Sequence, residues 1–190
     1  MPIKLVAFDW NGTILSDARL VFKAQNGVLN HFGHQLIDFK KFQDTYAIPV
    51  VNIWTALGFN KDFFAKHSDE IQKKFMSGYE PGESTCRMRL GAREILEWLE
   101  QNNIQAVIFS NHPTEHIRAQ LQKRNMSQFF LEVLGRDPNN AHMHVRGKGA
   151  KLNIFVNSLK LRPEEVLTVG DTDEEIEIGK EYGFHTAALT

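Results

Sequence analysis

Two periodicities share this chain. Short apolar runs stand at Ile3–Phe8, Ile104–Phe109, Leu131–Leu134, Val166–Val169 and Thr186–Leu189. Runs this short and predominantly apolar predict strands buried on both faces, as a parallel sheet requires. Between most of them the apolar spacing changes to three and four. Ala92, Ile95, Leu96 and Leu99 form one such stripe, and Leu152, Phe155, Val156 and Leu159 another. Each is the buried face of a predicted helix. Pro113 stands where a further helix would open. Strand and helix in alternation predict an α/β fold, a parallel sheet covered by helices on both faces.

The stretch from Asp17 to Gly82 departs from this pattern, with no strand-like run in it. Leu20, Val21, Ala24, Val28, Leu29 and Phe32 fall largely on one helical face. Asp38–Tyr46, Val50–Leu57 and Lys61–Met76 predict further helices, divided by Gly33, Pro49 and Gly58. Glu80–Ser84, with its Pro-Gly pair, reads as a linker back to the sheet. The predicted organisation is a core from residues 1–15 and 83–190, with a helical insertion at 16–82.

Composition narrows the function. A chain of 190 residues suits one domain with a modest insertion. Lys plus Arg is 22 against 23 Asp plus Glu, a balance that leaves no electrostatic footprint for nucleic acid or an anionic membrane. Cys86 is the one cysteine, so no internal disulfide is expected. Neither a signal segment nor a run long enough to span a bilayer is read from the sequence, and the expected location is a reducing cytoplasm.

The chemistry concentrates in four segments. The first is Asp9-Trp10-Asn11-Gly12-Thr13, directly after the first predicted strand. The second is Ser110-Asn111, at the end of another strand. The third is Gly147-Lys148-Gly149, near the start of a helix. The fourth is Gly170-Asp171 followed by Asp173, Glu174 and Glu175. Strand ends are where open α/β sheets bind ligands. A carboxylate fixed there is a candidate nucleophile for phosphoryl transfer, forming an aspartyl-phosphate. An anionic nucleophile and an anionic substrate need positive charge between them. Mg²⁺ on the hard oxygens of Asp9 and Asp171 would supply it, and Lys148 would neutralise the rest. Ser110 and backbone N–H groups at 10–13 would bind phosphate oxygens.

These segments resemble the four signature motifs of the haloacid dehalogenase superfamily of hydrolases. Its D-x-D-x-T motif is matched at Asp9 and Thr13 and departs at Asn11. Its strand-end hydroxyl is matched at Ser110 and its lysine at Lys148, whose spacing to Asp171 resembles that of the phosphoserine phosphatase branch. Its G-D-x-x-x-D motif is matched at Gly170 and Asp171, with Glu175 in the last position. The resemblance implies a Rossmann-like core, Mg²⁺, and a helical cap inserted after the first motif that closes over the site. It implies catalytic roles for Asp9, Asn11 and Lys148, and phosphate binding by Thr13, Ser110 and Asn111. Metal would be held by Asp9, by Asn11 through its backbone carbonyl, and by Asp171, with Glu175 supporting them. The expected substrate is a small phosphorylated metabolite.

Asn11 alters that expectation. The family's second aspartate protonates the leaving group and then activates water, and an amide cannot shuttle a proton. Slow hydrolysis of alkyl phosphates is therefore expected, unless a histidine such as His31, His34 or His67 serves instead. Two rival activities remain, a metal-independent 2-haloacid dehalogenase and transfer of phosphate to a sugar hydroxyl. A non-catalytic phosphate-ligand sensor is the rival outside enzymes. Plainer roles also stand beside the sharp ones. Asp9 could cap a turn, and Asn111 could cap the helix opened by Pro113. Lys151 and Arg146 compete with Lys148. Asp173 and Glu174 read as helix N-terminal charges that complement the macrodipole. His142-x-His144 near Asp137 lacks a compact third zinc ligand.

Overall fold

A computed structural model describes residues 2–47, 50–137 and 147–189. The chain folds as two compact units, Met1–Leu15 with Met88–Thr190, and Ser16–Arg87. The first is built on a five-stranded parallel sheet. Its strands are β1 (Leu5–Phe8), β4 (Gln105–Pro113), β5 (Val133–Arg136), β6 (Val166–Gly170) and β7 (His185–Ala188), in the order β5-β4-β1-β6-β7. The short strands β2 (Leu15–Ser16) and β3 (Arg87–Met88) lie where the chain passes between units.

Alternation along the strands sorts the core onto two faces. Leu5, Ala7, Val107 and Phe109 pack in one cluster with Leu152 and Val156 of α7 (Lys148–Ser158) and Ile178 of α8 (Asp173–Tyr182). On the other face, α5 (Ala92–Gln101) and α6 (Thr114–Lys123) contact β4, and α6 also contacts β5. Val6, Phe8, Leu167 and Val169 line an apolar groove of about 500 Å³ with Ile95, Trp98 and Leu99 of α5. The sheet is thus flanked as the apolar runs predict, and each of the five runs overlaps a strand. The third lies later than expected, at Val133–Arg136 rather than Leu131–Leu134.

The register is what positions the site. Phe8 pairs with Ile108 on one side and Val169 on the other. Asp9, Ser110 and Asp171 therefore reach the same C-terminal rim of three adjacent strands, with the Asp9 N–H donating to Val169 O at 2.8 Å.

The second unit is helical, with α1 (Ala18–His31), α2 (Phe39–Thr45), α3 (Val51–Ala56) and α4 (Lys61–Glu83). Each predicted helix of the insertion is present. The segment expected as a linker, Glu80–Ser84, is corrected: α4 runs through Pro81 to Glu83. A proline interrupts a helix through its missing N–H and its clash with the preceding turn. Here it sits close to the helix end, and the helix is held by its long packing against α1. Tyr79 and Asp17 form a buried link within this unit, the phenol donating to Asp17 Oδ2 at 2.6 Å.

Candidate active site

Asp9 is buried directly after β1. The following turn is closed by backbone bonds from Ile14 N and Leu15 N to Trp10 O, at 3.0 and 2.8 Å. Gly12 holds φ +73° there, a conformation that costs side-chain-bearing residues. The absence of a side chain also admits the Asp171 carboxylate, because a Cβ at Gly12 would stand 1.9 Å from Asp171 Oδ2. Gly12→Ala would therefore strain the turn and displace Asp171 together. The expected result is a loss of about 10²-fold in kcat/KM for the reaction this site carries, the scale of a 1 Å misplacement. Unchanged kinetics would show that Asp171 is not held where it is needed.

Lys148 is the first residue of α7 and is almost wholly buried. Its ammonium donates to Asp9 Oδ1 at 3.0 Å and to Glu175 Oε1, and forms an ion pair with Glu174 Oε2 at 3.2 Å. The ammonium also lies 5.1 Å from the centre of the Phe109 ring, within cation–π range. Burial works against this charge, but Asp9, Glu175 and Glu174 outweigh it and the Lys148 pKa is raised. Asp9 responds differently. Burial pushes its carboxyl from an ordinary 3.8 up to about 7, Lys148 opposes that, and Glu175 and Asp171 add to it.

Glu175 is held twice. Its Oε2 accepts from Thr172 N at 3.2 Å and Thr172 Oγ1 at 2.8 Å, a capping box that closes the start of α8. Its Oε1 meets Lys148. Asp171 lies exposed at the rim, and the buried Thr13 hydroxyl donates to its Oδ1 at a long 3.5 Å. Ser110 is buried, and its Oγ accepts from His112 N at 3.2 Å. Asn11 is half-buried in the turn.

One alternative read from the sequence is corrected here. Asn111 does not cap α6, because β4 continues to Pro113 and that helix has no side-chain cap. Its amide donates instead to Glu174 Oε2 at 3.1 Å. Glu174 stands in the first turn of α8, as expected, and there it is 2% exposed and paired with Lys148. The sequence carries a signal for this. Glu174 stands one helical turn before Ile178 and so shares the buried stripe of α8. Lys151 is no rival for Lys148, since its ammonium is committed to Gly135 O at 2.8 Å. His31 Nε2 and His67 Nδ1 meet the two oxygens of Glu70 at 2.8 and 3.1 Å, and His34 stacks on Phe59. His142, His144 and Arg146 lie outside the described residues.

The donor chemistry suits a hard divalent cation. Asp9 and Asp171 offer carboxylate oxygens, and the turn at Asn11 offers backbone oxygen. Three carboxylates meet the one Lys148 ammonium, and Asp171 raises the Asp9 pKa further. That surplus of negative charge is what a bound cation would offset.

Comparison with known proteins agrees with this geometry. The family model described as haloacid dehalogenase-like hydrolase matches residues 6–189. Phosphoglycolate phosphatase 1 of Pseudomonas aeruginosa is 23% identical, over 98% of this chain and 69% of its own length. The phosphoglycolate phosphatase of Vibrio parahaemolyticus is 24% identical, over 99% of this chain and 84% of its own. Among solved structures, a haloacid dehalogenase-like family hydrolase of Streptococcus pneumoniae superposes with a TM-score of 0.81. It is 20% identical, over 99% of this chain and 85% of that one.

Proposed function

Since this chain belongs to the haloacid dehalogenase-like hydrolases, we propose that it is an Mg²⁺-dependent phosphatase acting on a small phosphorylated metabolite. The observation that carries the reading is the buried Asp9 carboxylate, 3.0 Å from the Lys148 ammonium at the C-terminal rim of the sheet. An Asp9 oxygen attacks phosphorus, the bond from phosphorus to the ester oxygen breaks, and the leaving oxygen takes a proton from solvent as the alcohol departs. Water then hydrolyses the aspartyl-phosphate, releasing phosphate and restoring Asp9. Lys148 neutralises phosphate charge, and Ser110, Thr13 and Asn111 with nearby N–H groups orient the phosphate oxygens. Asp9, the Asn11 carbonyl and Asp171 would hold Mg²⁺, with Glu175 fixing the Thr172 turn beside them. The ion supplies positive charge between two anions. In this reading the helical unit Ser16–Arg87 is the cap and sets substrate selectivity.

The named relatives make small phosphorylated carboxylic acids, phosphoglycolate among them, the first substrates to test. A second reading has an observation of its own: Asn11 favours a phosphate-ligand sensor that binds without turnover. A metal-dependent screen of phosphorylated metabolites and p-nitrophenyl phosphate separates the two, since the sensor binds phosphate and releases none. Turnover insensitive to EDTA, with halide released from 2-haloacids, would instead support the dehalogenase.

Metal binding carries a pH signature. Asp9 must lose its proton to serve as a ligand, and its pKa without metal is about 7. Mg²⁺ affinity should rise with pH, by up to about tenfold per unit below that value, and level off above it. Calorimetry at pH 5.5, 6.5 and 8 measures this. A flat affinity across the series would remove Asp9 from the ligand set.

A further inference from the structure

We infer that Glu174 is a positioning residue, its carboxylate tying Lys148 of α7 and Asn111 of β4 to the start of α8 so that the ammonium stays aimed at Asp9 and the phosphate. The inference rests on the phosphatase reading and deepens it. A lysine head rides on a four-carbon stem whose rotamer freedom must be removed before it can orient anything. In this site it is removed by three carboxylates on two sides, Asp9 from β1 and Glu174 and Glu175 from α8. Asp9 alone is a poor anchor in the proposed reaction, because its carboxylate charge is lost when it becomes an acyl phosphate. The restraint then falls on Glu174 and Glu175. Glu175 is fixed by its capping box with Thr172. Glu174 is fixed by Asn111, whose amide donates to the same Oε2 that pairs with Lys148. The positive end of the α8 dipole lowers the cost of burying that carboxylate.

Glu174 is thus built unlike a surface acid. It is 2% exposed, and its other oxygen, Oε1, is buried with no hydrogen-bond partner among the described residues. Burying that oxygen unpaired costs free energy.

Three variants divide the role. Glu174→Gln keeps the reach and an accepting oxygen but removes the charge. Glu174→Asp keeps the charge but falls one methylene short of Lys148. Glu174→Ala removes both. With p-nitrophenyl phosphate and Mg²⁺, the Gln variant should lose about 10-fold in kcat, and the Asp and Ala variants about 10²-fold, with KM changed less than about threefold. The same Glu174→Ala change made in a Lys148→Met background should cost less than about twofold further, because its target is gone. Equal losses in both backgrounds, or variants matching the unaltered chain, would overturn the inference. Thermal melting runs the same four-protein cycle without activity. Melting-temperature losses that fail to add support the link, and additive losses refute it. The two readings therefore fail separately. An unaltered chain that turns over no phosphate ester sinks the phosphatase, and the melting cycle still decides Glu174.

Discussion

Asp9→Asn should abolish turnover, by about 10⁴-fold or more in kcat, for every phosphate ester tested. The loss applies to good and poor leaving groups alike, because no covalent intermediate forms without the carboxylate oxygen. Acid quench and mass spectrometry should trap phosphate on the unaltered chain and none on the variant. Folding should survive, since Lys148 keeps Glu174 and Glu175 as partners. The pH dependence of stability gives an independent check without metal. The folded pKa of Asp9, about 7, lies above its ordinary 3.8. Its protonated form therefore favours the fold at low pH, and that contribution is lost as pH rises through about 7. The amide has no such dependence, so the variant should gain stability relative to the unaltered chain between pH 5 and pH 8 in denaturant titrations. Substantial residual turnover would move the nucleophile elsewhere and end the reading given above.

Asn11→Asp should work in the opposite direction. General acid–base assistance contributes roughly 10²–10⁴-fold, or about 3–5 kcal/mol of barrier, and Asn11 cannot provide it. Aspartate is nearly isosteric with the half-buried Asn11. Alkyl phosphates, whose alkoxide leaves poorly, should gain most. Aryl and acyl phosphates leave with little help and should gain less, so the alkyl-to-aryl ratio of kcat/KM is the quantity to measure. A gain confined to the first step would show as accumulated aspartyl-phosphate, because the same acid also activates the attacking water. No gain with either class would mean that another group already carries the proton, and the argument from Asn11 would fall.

Much of this site is legible in the order of residues. The strands around it can be read because a sheet buried on both faces demands predominantly apolar runs, and Leu5–Phe8 and Val166–Val169 are such runs. The residues after those runs then have to lie at one rim. The supporting side chains are harder to read. Acidic residues at a helix start look alike on paper, yet Asp173 is exposed while Glu174 and Glu175 are buried. Which of them faces the sheet depends on the rotation of α8. Asn111 resembles a cap for the Pro113 helix, but β4 extends to Pro113 and turns that amide toward Glu174. Pro81 and Gly82 resemble a linker, but packing against α1 carries α4 through them.

The order of apolar runs and the motif residues at their ends, by themselves, determined an α/β sheet with an inserted helical segment and the family of hydrolases to which the chain belongs. Tertiary structure alone decided which charges pair. Lys148 over Lys151, Glu174 beside Glu175, and the close fit of Gly12 against Asp171 each depend on how helices are rotated and seated on the sheet. Local sequence fixes the period of an element but not its phase against its neighbours. That phase is set by side-chain packing between segments far apart in the chain, as in the meeting of Lys148 with Asp9.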